Sequence, residues 1–119
     1  MKHKNTFIHA ANGIGHAFKT EMNFRIHVLA TILVTGLGVV LNISKVEWLF
    51  VVGCCVLVLS LELLNTAIEN ICDLISKEYH PIIKIIKDTA AGAVLISAAG
   101  SIVTALIIFV PKISHLIEF

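Results

Sequence analysis

Charge is scarce in this sequence. Asp, Glu, Lys and Arg supply only 14% of its 119 residues, against 57% hydrophobic residues and a mean hydropathy of +0.93. That balance excludes an ordinary soluble domain and reads as a single integral membrane unit. The formal net charge is +1, so no bulk excess draws the chain to nucleic acid or to an acidic partner, and no run of like charges forms a tail. Cys54, Cys55 and Cys72 lack the spacing of a metal site or a redox pair and read as small buried hydrophobes. Neither the P-loop pattern nor the protein-kinase signatures occur. A cleaved signal peptide is not expected, because the first long apolar run starts near Val28, behind a polar segment with no small-residue cleavage site. The first membrane helix is expected to serve as the insertion signal.

The apolar runs give an all-α integral membrane fold: three transmembrane helices behind an N-terminal interfacial helix, in one membrane domain covering residues 1–119. In residues 1–26, Ile14, Ala17, Phe18 and Met22 recur at helical spacing with Lys19 off the stripe, as in an amphipathic helix lying in the membrane interface. The first span is expected over 27–44, with Gly36 and Gly38 where a neighbouring helix comes close. Trp48 opens a second span over 48–70 as an aromatic-belt residue. After the polar connector Ser76–Pro81, a third span runs over 88–110 and is closed by Pro111 and Lys112. Lys2, Lys4, Lys19, Arg25, Lys77, Lys84 and Lys87 fall on one side, and only Lys45 and Lys112 on the other. That bias sets the N-terminus and the second connector in the cytoplasm. Ala93, Ser97, Ser101 and Ala105 form a small-residue stripe suited to close helix contact, and three short spans bury so little alone that an oligomer is expected.

One stretch stands apart. From Glu62 to Asp73, Glu62, Asn65, Glu69 and Asp73 project within an arc of about 80° on a helix, directly after an apolar run. At about 1.5 Å per residue Glu62 lies roughly 21 Å beyond Trp48 and Glu69 roughly 31 Å, against a hydrocarbon layer near 30 Å. Glu62 is therefore submerged while Glu69 meets the far interface. A charged group at that depth costs about 3 kcal/mol on insertion scales, so it is usually functional or paired.

Polar groups from several segments are expected at this depth: Glu21, then Glu62, Asn65 and Glu69, then Glu78, Tyr79 and His80, then Lys87 and Asp88 opening the third span. Carboxylates from different segments suit Mg²⁺, which takes one or two of them beside water and substrate phosphates. Lys87 near a helix start can hold phosphate. Glu62 can accept a proton from a hydroxyl presented by the lipid phase. Together these features describe phosphoryl transfer at a membrane surface. Two other readings stay open on the pattern alone: Glu62 and Asn65 as polar glue between helices, or the same acids lining an ion or proton pathway. His3, His16 and His115 read as interfacial polar groups.

At these residues the sequence resembles the prokaryotic diacylglycerol kinase family over nearly its whole length. The resemblance rests on Glu62-Leu63-Leu64-Asn65-Thr66-Ala67-Ile68-Glu69 with Asp73, on Glu78-Tyr79-His80, on Lys87-Asp88 and on Glu21 with Phe24-Arg25. In Glu21-Met22-Asn23-Phe24-Arg25-Ile26-His27, Glu78-Tyr79-His80-Pro81 and Lys87-Asp88-Thr89-Ala90-Ala91-Gly92-Ala93-Val94 it looks most like the undecaprenol kinase branch typical of Gram-positive bacteria. The resemblance implies a multi-pass lipid kinase of the bacterial cytoplasmic membrane that uses ATP and Mg²⁺ and acts on undecaprenol or, as the alternative, diacylglycerol. It implies Glu62 as catalytic base supported by Asn65, and Glu21 and Glu69 as acids binding the nucleotide's Mg²⁺. Glu78, Tyr79, His80, Lys87 and Asp88 match nucleotide contacts, with Asp73 beside them. It further implies homotrimers with sites shared between subunits. Where diacylglycerol kinases carry an arginine and a tyrosine near the N-terminus this chain has Lys2 and His9; Ile85 replaces an arginine, and His27 replaces an acid.

Overall fold

A computed structural model describes residues 5–118, so Lys2, Lys4 and His3 lie outside the described residues. Four helices follow one another: α1 (Thr6–Thr20), α2 (Met22–Val40), α3 (Lys45–Ile75) and α4 (Pro81–Ile117). Three of them, α2, α3 and α4, are long and apolar enough to cross a membrane. Their flanks carry large exposed apolar side chains such as Leu49, Phe50, Leu95 and Ile96, which suits a lipid surround.

The chain turns at Glu21, five residues before the limit expected for the N-terminal helix, so Met22–Ile26 belongs to α2 rather than to α1. The corner has a specific cause in Arg25. Its Nη1 donates to the carbonyls of Phe18 at 2.7 Å and Lys19 at 3.1 Å, two of the oxygens that the last turn of α1 leaves without a helical partner. Ala17 and Phe24, one on each side of the corner, are buried.

At the other end of α2, Asn42 takes a left-handed conformation (φ 53°), which asparagine tolerates better than most residues. The Ile43 N–H then returns to the Gly38 carbonyl at 3.2 Å and closes the helix. Ser44 starts α3 with a reciprocal cap, its Oγ accepting from the Glu47 N–H while Glu47 Oε1 accepts from the Ser44 N–H. Of the two glycines in this span only Gly38 is in close quarters. A Cβ there would stand 2.8 Å from Trp48 Cη2, whereas one at Gly36 would meet nothing within 4 Å. The close approach joins α2 to α3 at their shared turn.

The apolar core sits at this end: Ile43, Val51, Ile108 and Phe109, with Leu37, Trp48 and Ala105 packed against them. Helices α3 and α4 share the most extensive contact in the chain. Within the expected small-residue stripe, Ser97 is buried and Ser101 and Ala105 are half-buried, while Ala93 is exposed. Ser97 and Ser101 satisfy their hydroxyls on the carbonyls of Val94 and Ser97, both at 2.8 Å.

Two helix limits differ from expectation. Pro111 does not close α4, which runs through it to Ile117. Proline removes one N–H bond from a helix interior, but here the Nζ of Lys112 reaches Glu47 Oε1 at 3.1 Å and fastens the following turn to the start of α3. The beginning of α4 also comes earlier than Lys87. His80 Nδ1 accepts from the Ile82 N–H at 3.2 Å and Pro81 occupies the first helical position, so Lys87 lies about two turns inside the helix rather than at its start. Lys87 therefore stands outside the first turn, where a helix terminus would add to its own charge.

Candidate active site

The end of the bundle away from the apolar core is polar inside. Buried there are Glu62, Asn65 and Thr66 on α3. Glu62 is only 3% exposed, and its Oε2 lies 3.6 Å from His27 Nε2 on α2. One turn further along α3, Asn65 Nδ2 donates to Glu69 Oε1 at 2.9 Å. Glu21, at the α1–α2 corner, and Glu69 are both close enough to act on Glu62 electrostatically. The structure thus brings Glu62, Asn65 and Glu69 together, as the helical spacing anticipates, and adds Glu21 from the α1–α2 corner.

Two buried polar atoms here have no partner among the described residues, Asn65 Oδ1 and Thr66 Oγ1. The contrast with other threonines is sharp. Thr31, Thr35, Thr89 and Thr104 each donate to the carbonyl four residues back, at 2.7–2.9 Å, the usual way of hiding a hydroxyl in lipid. An unsatisfied buried oxygen costs about 1–3 kcal/mol, and two of them beside Glu62 mark a place built to receive a polar group.

Beyond Glu62 towards the polar connector, α3 ends with a second polar pair. Lys87 Nζ meets Asp73 Oδ1 at 2.7 Å and ties α4 to α3. Asp88 is exposed and paired with Lys84. Glu78, Tyr79 and His80 stand exposed on the connector, and no hydrogen bond or ion pair among the described residues links them to the Glu62 group. The expected convergence is therefore in two tiers, with the buried set inside and the Asp73–Lys87 pair and connector outside.

An apolar groove of about 330 Å³ runs between α2, α3 and α4 and is lined by Val34, Val51, Val58, Ala98 and Ile102 among others. His27 is part of its wall, which brings the groove to the side chain that faces Glu62. Sequence spacing did not single out His27 as a partner of Glu62, since nothing local in α2 relates it to a residue on another helix. Its one signal is a lone ionisable side chain at the head of an apolar run.

For a divalent cation the donor set is open. Among the described residues no three His, Cys, Asp or Glu side chains are placed to hold a metal ion by themselves. Glu21 and Glu69, both near Glu62, offer two hard oxygen donors from different segments, which fits a cation that keeps water and substrate phosphates as its remaining ligands.

A buried acid facing a histidine of the groove wall, with further acids along the same helix, agrees with what similar proteins are. Residues 8–109 match the family model described as prokaryotic diacylglycerol kinase. The chain belongs to the prokaryotic diacylglycerol kinase family. The undecaprenol kinase of Bacillus subtilis (strain 168) is 43% identical over 108 residues, 91% of this chain and 88% of that protein. The diacylglycerol kinase of Synechocystis is 36% identical over 112 residues, 93% of this chain and 64% of the other. That of Escherichia coli (strain K12) is 30% identical over 92 residues, 77% and 75% of the two chains. This member of the diacylglycerol kinase family is accordingly a multi-pass membrane protein and a lipid kinase, an enzyme that moves a phosphoryl group from a donor to a lipid alcohol.

Proposed function

We propose that this lipid kinase phosphorylates undecaprenol with ATP and Mg²⁺, giving undecaprenyl phosphate at the cytoplasmic face of the bacterial membrane. The observation that carries the reading is the burial of Glu62 beside the head of the apolar groove, with Glu69 one to two turns nearer the polar end. A polyprenol laid along the groove delivers its hydroxyl to that head. Glu62 takes the hydroxyl proton while the alkoxide oxygen attacks the γ-phosphorus in line and ADP leaves. Asn65, held by Glu69, keeps its free Oδ1 for a polar atom of the substrates. Glu21 and Glu69 would hold Mg²⁺, which on binding neutralises charge on the nucleotide phosphates. Lys87 reaches phosphate oxygens, and Glu78, Tyr79, His80 and Asp88 bind the rest of the nucleotide, with Asp73 setting Lys87. The undecaprenol reading is supported by the 43% identity to an undecaprenol kinase, against 36% and 30% to two diacylglycerol kinases.

A homotrimer with sites shared between subunits fits the same picture. At most 22% of any candidate span is buried within one chain, so the spans have ample surface left for other copies. Lys45 and Lys112 mark the outer side, α1 lies in the inner interface as an amphipathic helix, and the N-terminus is cytoplasmic. The test is transfer of label from γ-labelled ATP, with Mg²⁺ in mixed micelles, to undecaprenol or to diacylglycerol. Preferential labelling of undecaprenol is expected, and faster labelling of diacylglycerol would reverse the choice of substrate.

A further inference from the structure

We propose that His27 is a proton-relay and positioning residue that acts through Glu62, an inference resting on the assignment of Glu62 as the base. Among the described residues it is the one basic side chain within ion-pair reach of Glu62, at 3.6 Å. The remaining charged neighbours that act on Glu62, Glu21 and Glu69, are acids, and Asn65, which also touches Glu62, is an amide that donates to Glu69 and cannot carry a proton away. Glu62 is 3% exposed and has no direct route for returning a proton to water, whereas the His27 side chain is 23% exposed. His27 therefore connects a sealed carboxylate with an open edge of the protein. Its place in the groove wall puts it beside the incoming alcohol as well.

The proton inventory closes on these groups. As the alcohol oxygen bonds to the γ-phosphorus, the bond from that phosphorus to its bridging oxygen breaks and ADP departs. The hydroxyl proton goes to Glu62. His27 Nε2 then takes this proton, restoring the carboxylate, and releases it to water admitted to the polar end of the site as the products leave. Between turnovers the same imidazole stands against one carboxylate oxygen, Oε2, and leaves the other for the alcohol. A merely structural histidine would fill space between α2 and α3 and take no part in turnover.

The experiment compares wild type, His27→Ala, His27→Gln and Glu62→Gln in mixed micelles with labelled ATP and Mg²⁺, on whichever of undecaprenol and diacylglycerol the wild type labels. Elution volume on gel filtration shows which variants fold. His27→Ala is expected to lower kcat by about tenfold to a hundredfold with KM for ATP within about twofold of wild type, since general acid–base groups contribute factors of this order. Added imidazole is expected to restore much of that loss in His27→Ala and none in Glu62→Gln. His27→Gln, able to hydrogen-bond but unable to relay, is expected to stay slow. Wild-type kcat in either His27 variant overturns the inference, as does a folded His27→Ala that imidazole leaves slow. Should His27→Ala fail to fold, His27→Gln decides by the same split of kcat from KM. A wild type that labels neither lipid overturns the underlying reading together with this one, whereas failure confined to the His27 variants overturns this one alone.

Discussion

Lys87 Nζ lies 2.7 Å from Asp73 Oδ1, so the cation proposed to meet the nucleotide is already paired, across two helices, with a carboxylate that has no second ion-pair partner among the described residues. Both side chains are more than a third exposed, and solvent screening keeps such a pair to about 0–1 kcal/mol of stability. The pair serves position more than stability. Lys87→Met is expected to raise KM for ATP roughly tenfold to a hundredfold, the equivalent of a charge-assisted hydrogen bond of about 1.5–3 kcal/mol. Asp73→Asn is expected to raise it less and to leave the melting temperature nearly unchanged. Equal effects from the two substitutions would assign Asp73 a direct contact with the nucleotide.

Glu69→Gln removes one of the two carboxylates proposed to hold Mg²⁺ but can still accept from Asn65 Nδ2. The fold is expected to survive, while the Mg²⁺ concentration for half-maximal rate rises. Measured across a Mg²⁺ titration at fixed ATP, an unchanged midpoint would take Glu69 out of the cation site.

Gly38 and Gly36 separate a packing role from a propensity role. Gly38→Ala drives a methyl into the Trp48 ring and is expected to destabilise by about 1–3 kcal/mol, as overpacking does. Gly36→Ala meets open space and is expected to be neutral or to stabilise by up to about 1 kcal/mol through helix propensity. Thermal unfolding in micelles ranks the two. A tolerated alanine at both positions would mean that the α2–α3 turn is looser than its geometry.

Thr66 carries a buried hydroxyl with no partner among the described residues. Thr66→Val is expected to leave stability unchanged or raise it by about 1 kcal/mol, because only an unsatisfied group is lost. If that oxygen receives a substrate, KM for the lipid alcohol rises several-fold in the same variant. Unchanged kinetics would remove Thr66 from the site.

Hydropathy made the three spans legible, and the 3.6-residue period put Glu62, Asn65 and Glu69 on one face, because both are properties of a single helix. Pairings between helices were not legible in the same way. His27 with Glu62, Arg25 with the end of α1, and Lys112 with Glu47 all join different elements or cross a corner, and no local periodicity encodes them. Lys87 illustrates the difference well. Its charge was evident, but its place two turns inside α4 follows from His80 and Pro81 starting the helix early. The continuation of α4 through Pro111 was equally invisible, since the contact that fastens the following turn, Lys112 with Glu47, joins two different helices.

Arg25 changes how an activity screen on this enzyme should be interpreted. An arginine close to acidic residues invites assignment to phosphate, yet one nitrogen of its guanidinium, Nη1, is held by the main-chain oxygens of Phe18 and Lys19. It works as a corner brace that sets the angle at which Glu21 enters the site. Loss of activity on replacing Arg25 would consequently include a mechanical part, read as a loss of stability in the same variant, and Arg25→Leu, which removes the brace and keeps the stem, would show it.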